Sequence, residues 1–137
     1  MVANKLMNKF LSISIVSDHD SWINTYIPEF IDKIKKNSYM VTWEHDINKV
    51  QKGDICFLIG CSQIMLKNIM TVNKVNLVVH ESKLPEGKGW SPLSWQILEG
   101  KNIIPITLLE VDDRIDSGKI FLQSEMVFDG HELNNEL

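Results

Sequence analysis

Apolar positions along the chain follow two rhythms: short β-branched runs, and longer stretches in which they recur every three or four residues. Leu11 to Ser17 is a β-branched run that stops at the polar cluster Ser17 to Ser21, which reads as a first strand and its exit loop. From Trp22 through Lys36, the residues Trp22, Ile23, Tyr26, Ile27, Phe30, Ile31 and Ile34 recur at helical spacing. Lys33, Lys35 and Lys36 gather at the C-terminal end of this stretch, where a helix dipole favours cations. Pro28 either kinks the helix or delays its start. Tyr39 to Glu44 predicts a second strand, Ile55 to Ile59 a third and central one, and Ser62 to Asn68 the helix after it. Asn76 to His80 predicts a fourth strand. Ile103 to Val111 predicts a fifth, in which Pro105 is tolerated only near the start or at a sheet edge. Lys119 to Phe128 predicts a sixth, paired with the fifth across an Asp-rich turn, and residues 131–137 resemble the first turns of another helix. Strands and helices taking turns predict an α/β fold, a Rossmann-like, mostly parallel sheet with helices on both faces.

Length and composition then bound the architecture. With 137 residues and 44% apolar content, the chain builds one hydrophobic core. No linker, repeat or low-complexity segment divides it, so one domain over residues 1–137 is expected. No apolar run approaches the roughly 20 residues that span a bilayer, and no secretory leader pattern is visible, so a cytoplasmic location without membrane attachment is expected. Cys56 and Cys61 have neither the spacing nor the partners of a metal cage and read as small core residues. A net charge of −4 and a pI near 5.5 argue against a broad electrostatic nucleic-acid footprint.

Candidate chemistry is concentrated between Val78 and Ile120. His80 closes the fourth strand. The Pro- and Gly-containing loop Pro85 to Gly89 follows, then a helix opening at Pro92, and then Asp112, Asp113, Asp116, Ser117 and Gly118. Successive glycines let a loop backbone approach a ligand closely. A histidine ending an apolar strand is often only a core or capping residue, and Asp112 and Asp113 fit a plain turn. Asp116, followed by Ser117 and Gly118, is the aspartate that reads as functional. Trp95, near the start of a helix, reads as packing, and Trp90 stays open. Asp18, His19 and Asp20 have metal-compatible side chains, but three consecutive residues cannot all face one ion, so no metal site is expected and the segment reads as a solvated loop.

In order and approximate spacing, His80, Ser82, Leu84, Pro85, Gly89, Pro92, Trp95, Asp116 and Gly118 resemble the catalytic core of the folate-dependent formyltransferases. That family includes methionyl-tRNA formyltransferase, glycinamide ribonucleotide formyltransferase and the sugar N-formyltransferases. The similarity runs over roughly residues 11–128 and is specific after residue 76. It implies the formyltransferase fold, one catalytic domain cut short at its C-terminus, and N10-formyltetrahydrofolate as formyl donor. It further implies His80 and Asp116 as catalytic residues. Gly60, Gln63, Ile64, Met65, Val111 and Asp112 would hold the pterin of the donor, and Ser82, Lys88 and Trp90 would contact the acceptor, with Glu81 a further polar contact.

One position departs from the pattern. Val78 stands where the family carries an asparagine that helps to hold the formyl oxygen. Asn76 lies on the same face of the strand but about 13 Å before His80 and cannot substitute; Ser82, backbone amides or a water are the open replacements. Transfer of a formyl group to an amine passes through a tetrahedral oxyanion, so the site must stabilise that charge and accept a proton. The expected acceptor is a small amine, a nucleotide-linked amino sugar in the first instance, with tRNA disfavoured by the acidic charge and a homodimer allowed. A non-catalytic folate- or nucleotide-binding module of the same fold is the alternative that Val78 raises. A Rossmann oxidoreductase is weaker, because no G-x-G-x-x-G follows the first strand.

Overall fold

The computed structural model describes residues 10–132. Its strands are β1 (Ser12–Val16), β2 (Met40–Glu44), β3 (Gly53–Leu58), β4 (Asn73–His80), β5 (Ile103–Glu110) and β6 (Ile120–Val127). They form one sheet in the order β2-β1-β3-β4-β5-β6. The first four are parallel, whereas β5 and β6 add as antiparallel strands. This is the α/β architecture that the pattern predicts, with the order of strands reversing direction between β1 and β3.

Side-chain alternation in β1 assigns the two faces. Ile13 and Ile15 point to α1 (Ile27–Lys35) and pack with Ile23, Ile27, Ile31 and Ile34. Val16 points the other way, into a cluster with Ile47, Val50, Cys56, Leu58 and Met65, against which Ile69 and Met70 of α2 (Lys67–Met70) also pack. Helices therefore cover both faces. Among the described residues, none is long and apolar enough to cross a membrane. Burial pushes the Cys56 thiol up to about 12 and that of Cys61 to about 11, so both are unreactive thiols at neutral pH.

Several expectations are corrected. Residues 22–36 do not form one helix. Trp22–Thr25 is a single 3-10 turn, and α1 starts at Ile27 with Pro28 in its first turn, where the missing N–H costs nothing. The apolar stripe splits accordingly: the isoleucines face the sheet, while Trp22, Tyr26 and Phe30 face outward. The helix expected over 62–68 is extended as far as Leu66. Asp18 accepts the Ser62 N–H at 2.7 Å, and Gln63 bridges the Asp18 carboxylate, the His45 carbonyl and the Ile47 N–H, so tertiary bonds hold this backbone open. Burial alone would raise the Asp18 carboxyl, but the hydrogen bonds from Ser62 and Gln63 hold it below the ordinary aspartate value. Asp18 is thus a tie between two loops, and only His19 and Asp20 fit the solvated reading. Trp95, expected in the core, is 63% exposed on α3 (Pro92–Leu98). Of the helix expected at 131–137, His131 and Glu132 are not helical and 133–137 lie outside the described residues. Pro105 stands before the β4 pairing of β5 begins at Thr107, which reconciles it with an interior strand.

Opposite the loops just described, where β1 and β3 begin, Asp54 is buried and accepts from the backbone N–H and the hydroxyl of Ser12 and from Lys74 at 2.6 Å. Lys74 first, and then the Ser12 N–H, hold its carboxyl far below the ordinary value near 3.8. Because the folded value is depressed, the stabilisation is present above pH 3.8 and is lost as pH falls toward the folded-state value. Asp54→Ala is expected to lower the thermal midpoint at pH 7, and its difference from the wild type should shrink below pH 3.8; equal midpoints at pH 7 would contradict this.

Candidate active site

His80 is placed by β4, whose alternation puts Asn76, Val78 and His80 on one face. The side chain is buried, with 8% of its surface exposed. Its Nε2 lies 2.8 Å from the Gly87 carbonyl oxygen; a carbonyl only accepts, so Nε2 carries a hydrogen and donates it. The same nitrogen is 3.6 Å from Asp116 Oδ2. Asp116 Oδ2 in turn accepts the Gly89 N–H at 2.9 Å. Two loops therefore converge on one imidazole.

The loop after His80 is organised by its own polar groups. The Ser82 hydroxyl donates to the Glu86 carbonyl, and the fully buried Thr107 on β5 donates to the Ser82 carbonyl at 2.6 Å. Gln123 of β6 donates to both Thr107 Oγ1 and the Leu84 carbonyl, and the Leu84–Pro85 bond is cis. Gly87 has φ +70°, and a β-carbon there would lie 2.8 Å from Ser82 Cβ, so only glycine offers its carbonyl to His80 in this way. The opposing turn is equally constrained: Asp116 has φ +52°, and a β-carbon at Gly118 would overlap the Glu110 carbonyl oxygen.

Between these loops a cavity opens over Leu58, Val78 and His80. Gln63, Ile64 and Met65 form one wall, Glu110, Val111 and Asp112 another, with Asp116, Gly89 and Trp90 at the rim. The structure thus brings together His80, Asp116, Gln63, Ile64, Met65, Val111, Asp112 and Trp90. It does not bring Gly60, Ser82 or Lys88 into this wall. Gly60 lies behind it, where its carbonyl accepts the Asp18 N–H, and Ser82 spends its hydroxyl on the loop. Lys88 donates to Ser117 Oγ at 2.9 Å and, with Ser82, lines a second groove beside Trp95. Asn76 is buried below the cavity and donates to the Met70 carbonyl.

Sequence reasoning missed Cys61, Arg114 and Ile115, which also line the cavity, and gave Glu81 little weight. The first three follow from loop paths that no local pattern encodes. Glu81 had a signal, its adjacency to His80. Burial pushes the Glu81 carboxyl above the ordinary glutamate value; its own backbone N–H and the nearby His80 oppose this, and the charge of Asp116 adds to it. Among the described residues no group of three His, Cys, Asp or Glu side chains converges as a metal site requires. An imidazole whose N–H is held by the Gly87 carbonyl, with a carboxylate 3.6 Å away and a largely apolar cleft alongside, suits proton transfer next to a bound flat ring.

Comparison with known proteins bears on the family and the fold. The model of the family described as formyl transferase matches residues 15–137. A methionyl-tRNA formyltransferase from Clostridioides difficile is 30% identical over 110 residues, which is 80% of this chain and 31% of that protein. The chain therefore spans about a third of the length of the curated relatives it matches. Among solved structures, methionyl-tRNA formyltransferase from Clostridium thermocellum superposes with a TM-score of 0.71 at 23% identity over 86% of this chain and 54% of that one. The formyltransferase PseJ from Anoxybacillus kamchatkensis, solved with a UDP-linked formamido sugar and tetrahydrofolate, superposes with a TM-score of 0.61 at 22% identity, over 85% of this chain and 61% of that one. The family match over residues 15–137, together with the 30% identity over 80% of the chain, establishes that this chain belongs to the formyl transferase family.

Proposed function

We propose that this domain transfers a formyl group from N10-formyltetrahydrofolate to the amine of a small acceptor, with a nucleotide-linked amino sugar as the first candidate. The observation that carries the reading is the His80 and Asp116 pair, 3.6 Å apart, lining a cleft walled by Gln63 to Met65 and Glu110 to Asp112. The donor is a second substrate, and the residues fit it. Ile64, Met65, Val111 and Val78 offer an apolar bed for a flat ring, beside the extended backbone of 63–65, whose peptide groups are not tied up in a helical turn. In the reaction the acceptor nitrogen attacks the formyl carbon, a C–N bond forms, and the carbonyl oxygen becomes anionic. Collapse breaks the bond to the donor nitrogen, and the proton lost by the acceptor nitrogen returns to that leaving nitrogen. His80, oriented by Gly87 and Asp116, is the group placed to move that proton. Trp90, 64% exposed at the rim, lies where an acceptor enters, with Lys88 and Ser82 on the far side of the same loop.

The sugar acceptor is supported by the PseJ likeness and by the acidic charge of −4, which gives little attraction for a polyanion. A tRNA acceptor is the second reading, favoured by the methionyl-tRNA formyltransferases among the relatives. Formyl transfer to UDP-linked amino sugars and to methionyl-tRNA, assayed side by side, separates the two.

Calorimetric titration with 5-formyltetrahydrofolate is expected to show saturable binding that weakens in Asp116→Ala. His80→Ala is expected to bind the same ligand but to lower the rate of formyl transfer by about a hundredfold or more. Unchanged transfer in either variant would remove these residues from the mechanism. Val78→Asn tests the non-catalytic alternative: activity in that variant alone, with none in the parent chain, would mean that catalysis had been lost at this position.

A further inference from the structure

His80 stands at the end of a row of register partners that crosses three strands. His80 of β4 pairs with Thr107 of β5, and Thr107 pairs with Gln123 of β6, so the three side chains rise from one face of the sheet. Thr107 is fully buried. A position that served packing alone would take the similarly shaped valine, with no hydroxyl to satisfy. Here the hydroxyl donates to the Ser82 carbonyl at 2.6 Å. Gln123 Nε2 donates to Thr107 Oγ1 at 3.1 Å, which leaves the hydroxyl hydrogen to point at Ser82. Ser82 is where this row meets the loop that holds His80. Its own hydroxyl donates to the Glu86 carbonyl at 2.8 Å, and its β-carbon is what a side chain at Gly87 would strike. Gly87 therefore rests on Ser82 while its carbonyl takes the His80 Nε2 hydrogen. Other ties hold other parts of the loop: Gln96 donates to the Glu81 carbonyl, Gln123 reaches the Leu84 carbonyl at 3.3 Å, and the Gly89 N–H bonds Asp116.

We propose that Thr107 is a positioning residue for His80: by holding Ser82 it keeps the Gly87 carbonyl on Nε2, which fixes the neutral imidazole as its Nε2–H tautomer and makes Nδ1 the nitrogen that takes up a proton. This rests on the reading of His80 as the group that moves the proton in formyl transfer. The proton balance follows from the tautomer. The acceptor nitrogen gives its proton to Nδ1 as the new C–N bond forms. The resulting imidazolium keeps its Nε2 hydrogen on Gly87, with Asp116 Oδ2 3.6 Å from the same nitrogen. Nδ1 then returns the proton to the donor nitrogen as the old C–N bond breaks. A ring released from Gly87 divides between two tautomers, and the Nδ1–H form has no lone pair on that nitrogen to accept with. Thr107 touches none of the reacting atoms in this scheme and acts only through Ser82 and Gly87.

The test is 1H–15N NMR of the chain carrying 15N-labelled histidine, read with the ring uncharged, His80 being identified among the four histidines by a His80→Gln variant. The expected wild-type ring is the Nε2–H form. Thr107→Val keeps the shape and removes the hydroxyl, and should move the two ring nitrogens toward a common, averaged shift. Thr107→Ser restores a hydroxyl and should return the wild-type pattern. In parallel, Thr107→Val should lower kcat for formyl transfer about tenfold, with the affinity for 5-formyltetrahydrofolate retained and kcat recovered in Thr107→Ser. If Thr107→Val does not fold, Gln123→Glu on the exposed edge strand supplies the contrast. A carboxylate there accepts the Thr107 hydrogen and withdraws it from Ser82. An Nδ1–H ring in the wild type, or a tautomer unmoved in Thr107→Val and Gln123→Glu, would overturn the role of Thr107. A shift in Thr107→Val that Thr107→Ser fails to reverse would overturn it as well. Absence of formyl transfer in the wild type would contradict the formyl-transfer reading, and the ring signals would still decide whether Thr107 sets the tautomer.

Discussion

The bond from the Gly89 N–H to Asp116 Oδ2 joins two loops separated by 27 residues, and the geometry of the site depends on it. It places a carboxylate 3.6 Å from the His80 imidazole, and it does so only because both loops are held by features away from the contact. On one side, Ser82, Thr107 and Gln123 fold the chain after β4 so that Gly87 presents its carbonyl to the ring. On the other, the left-handed Asp116 and the close approach of Gly118 to Glu110 aim the carboxylate inward. The irregular backbone stands next to the chemistry, supported by strands that are regular.

A second tie closes the opposite wall. Asp18 and Gln63 bind the loops after β1 and β3 to each other and to the segment after β2, near the point where the strand order reverses. That network keeps residues 61–66 out of a helix, so the peptide groups of Gln63 to Met65 line the cleft instead of bonding within a helical turn. The buried Met65 anchors this wall to the core cluster under the sheet. Packing and site geometry are therefore coupled through a single stretch of extended chain.

Much of the fold was legible in the sequence because the strands are short apolar runs, as in β1, where Ile13 and Ile15 are buried on one face and Val16 on the other. The antiparallel β5 and β6 pair followed from the turn residues between them. The candidate site was legible where its residues carry both a local and a chemical signal, as with His80 and Asp116, which the structure brings within 3.6 Å of each other. What escaped was set by distant partners. The extended 61–66 segment depends on an aspartate 45 residues from Gln63, and Trp95 is exposed on a helix, α3, that buries none of its residues. The hydroxyl of Ser82, read as a substrate contact, is used by a carbonyl four residues ahead of it. Such choices between solvent, loop and ligand leave no periodic trace.

The central claim is that the chain segments 61–65, 87–90 and 111–116 form one ligand site around His80. Hydrogen–deuterium exchange with and without saturating 5-formyltetrahydrofolate tests it most directly. Slower exchange is predicted in all three segments together, with little change in the Trp22 to Phe30 stretch on the opposite face. Protection confined to that stretch, or to only one of the three segments, would contradict the account.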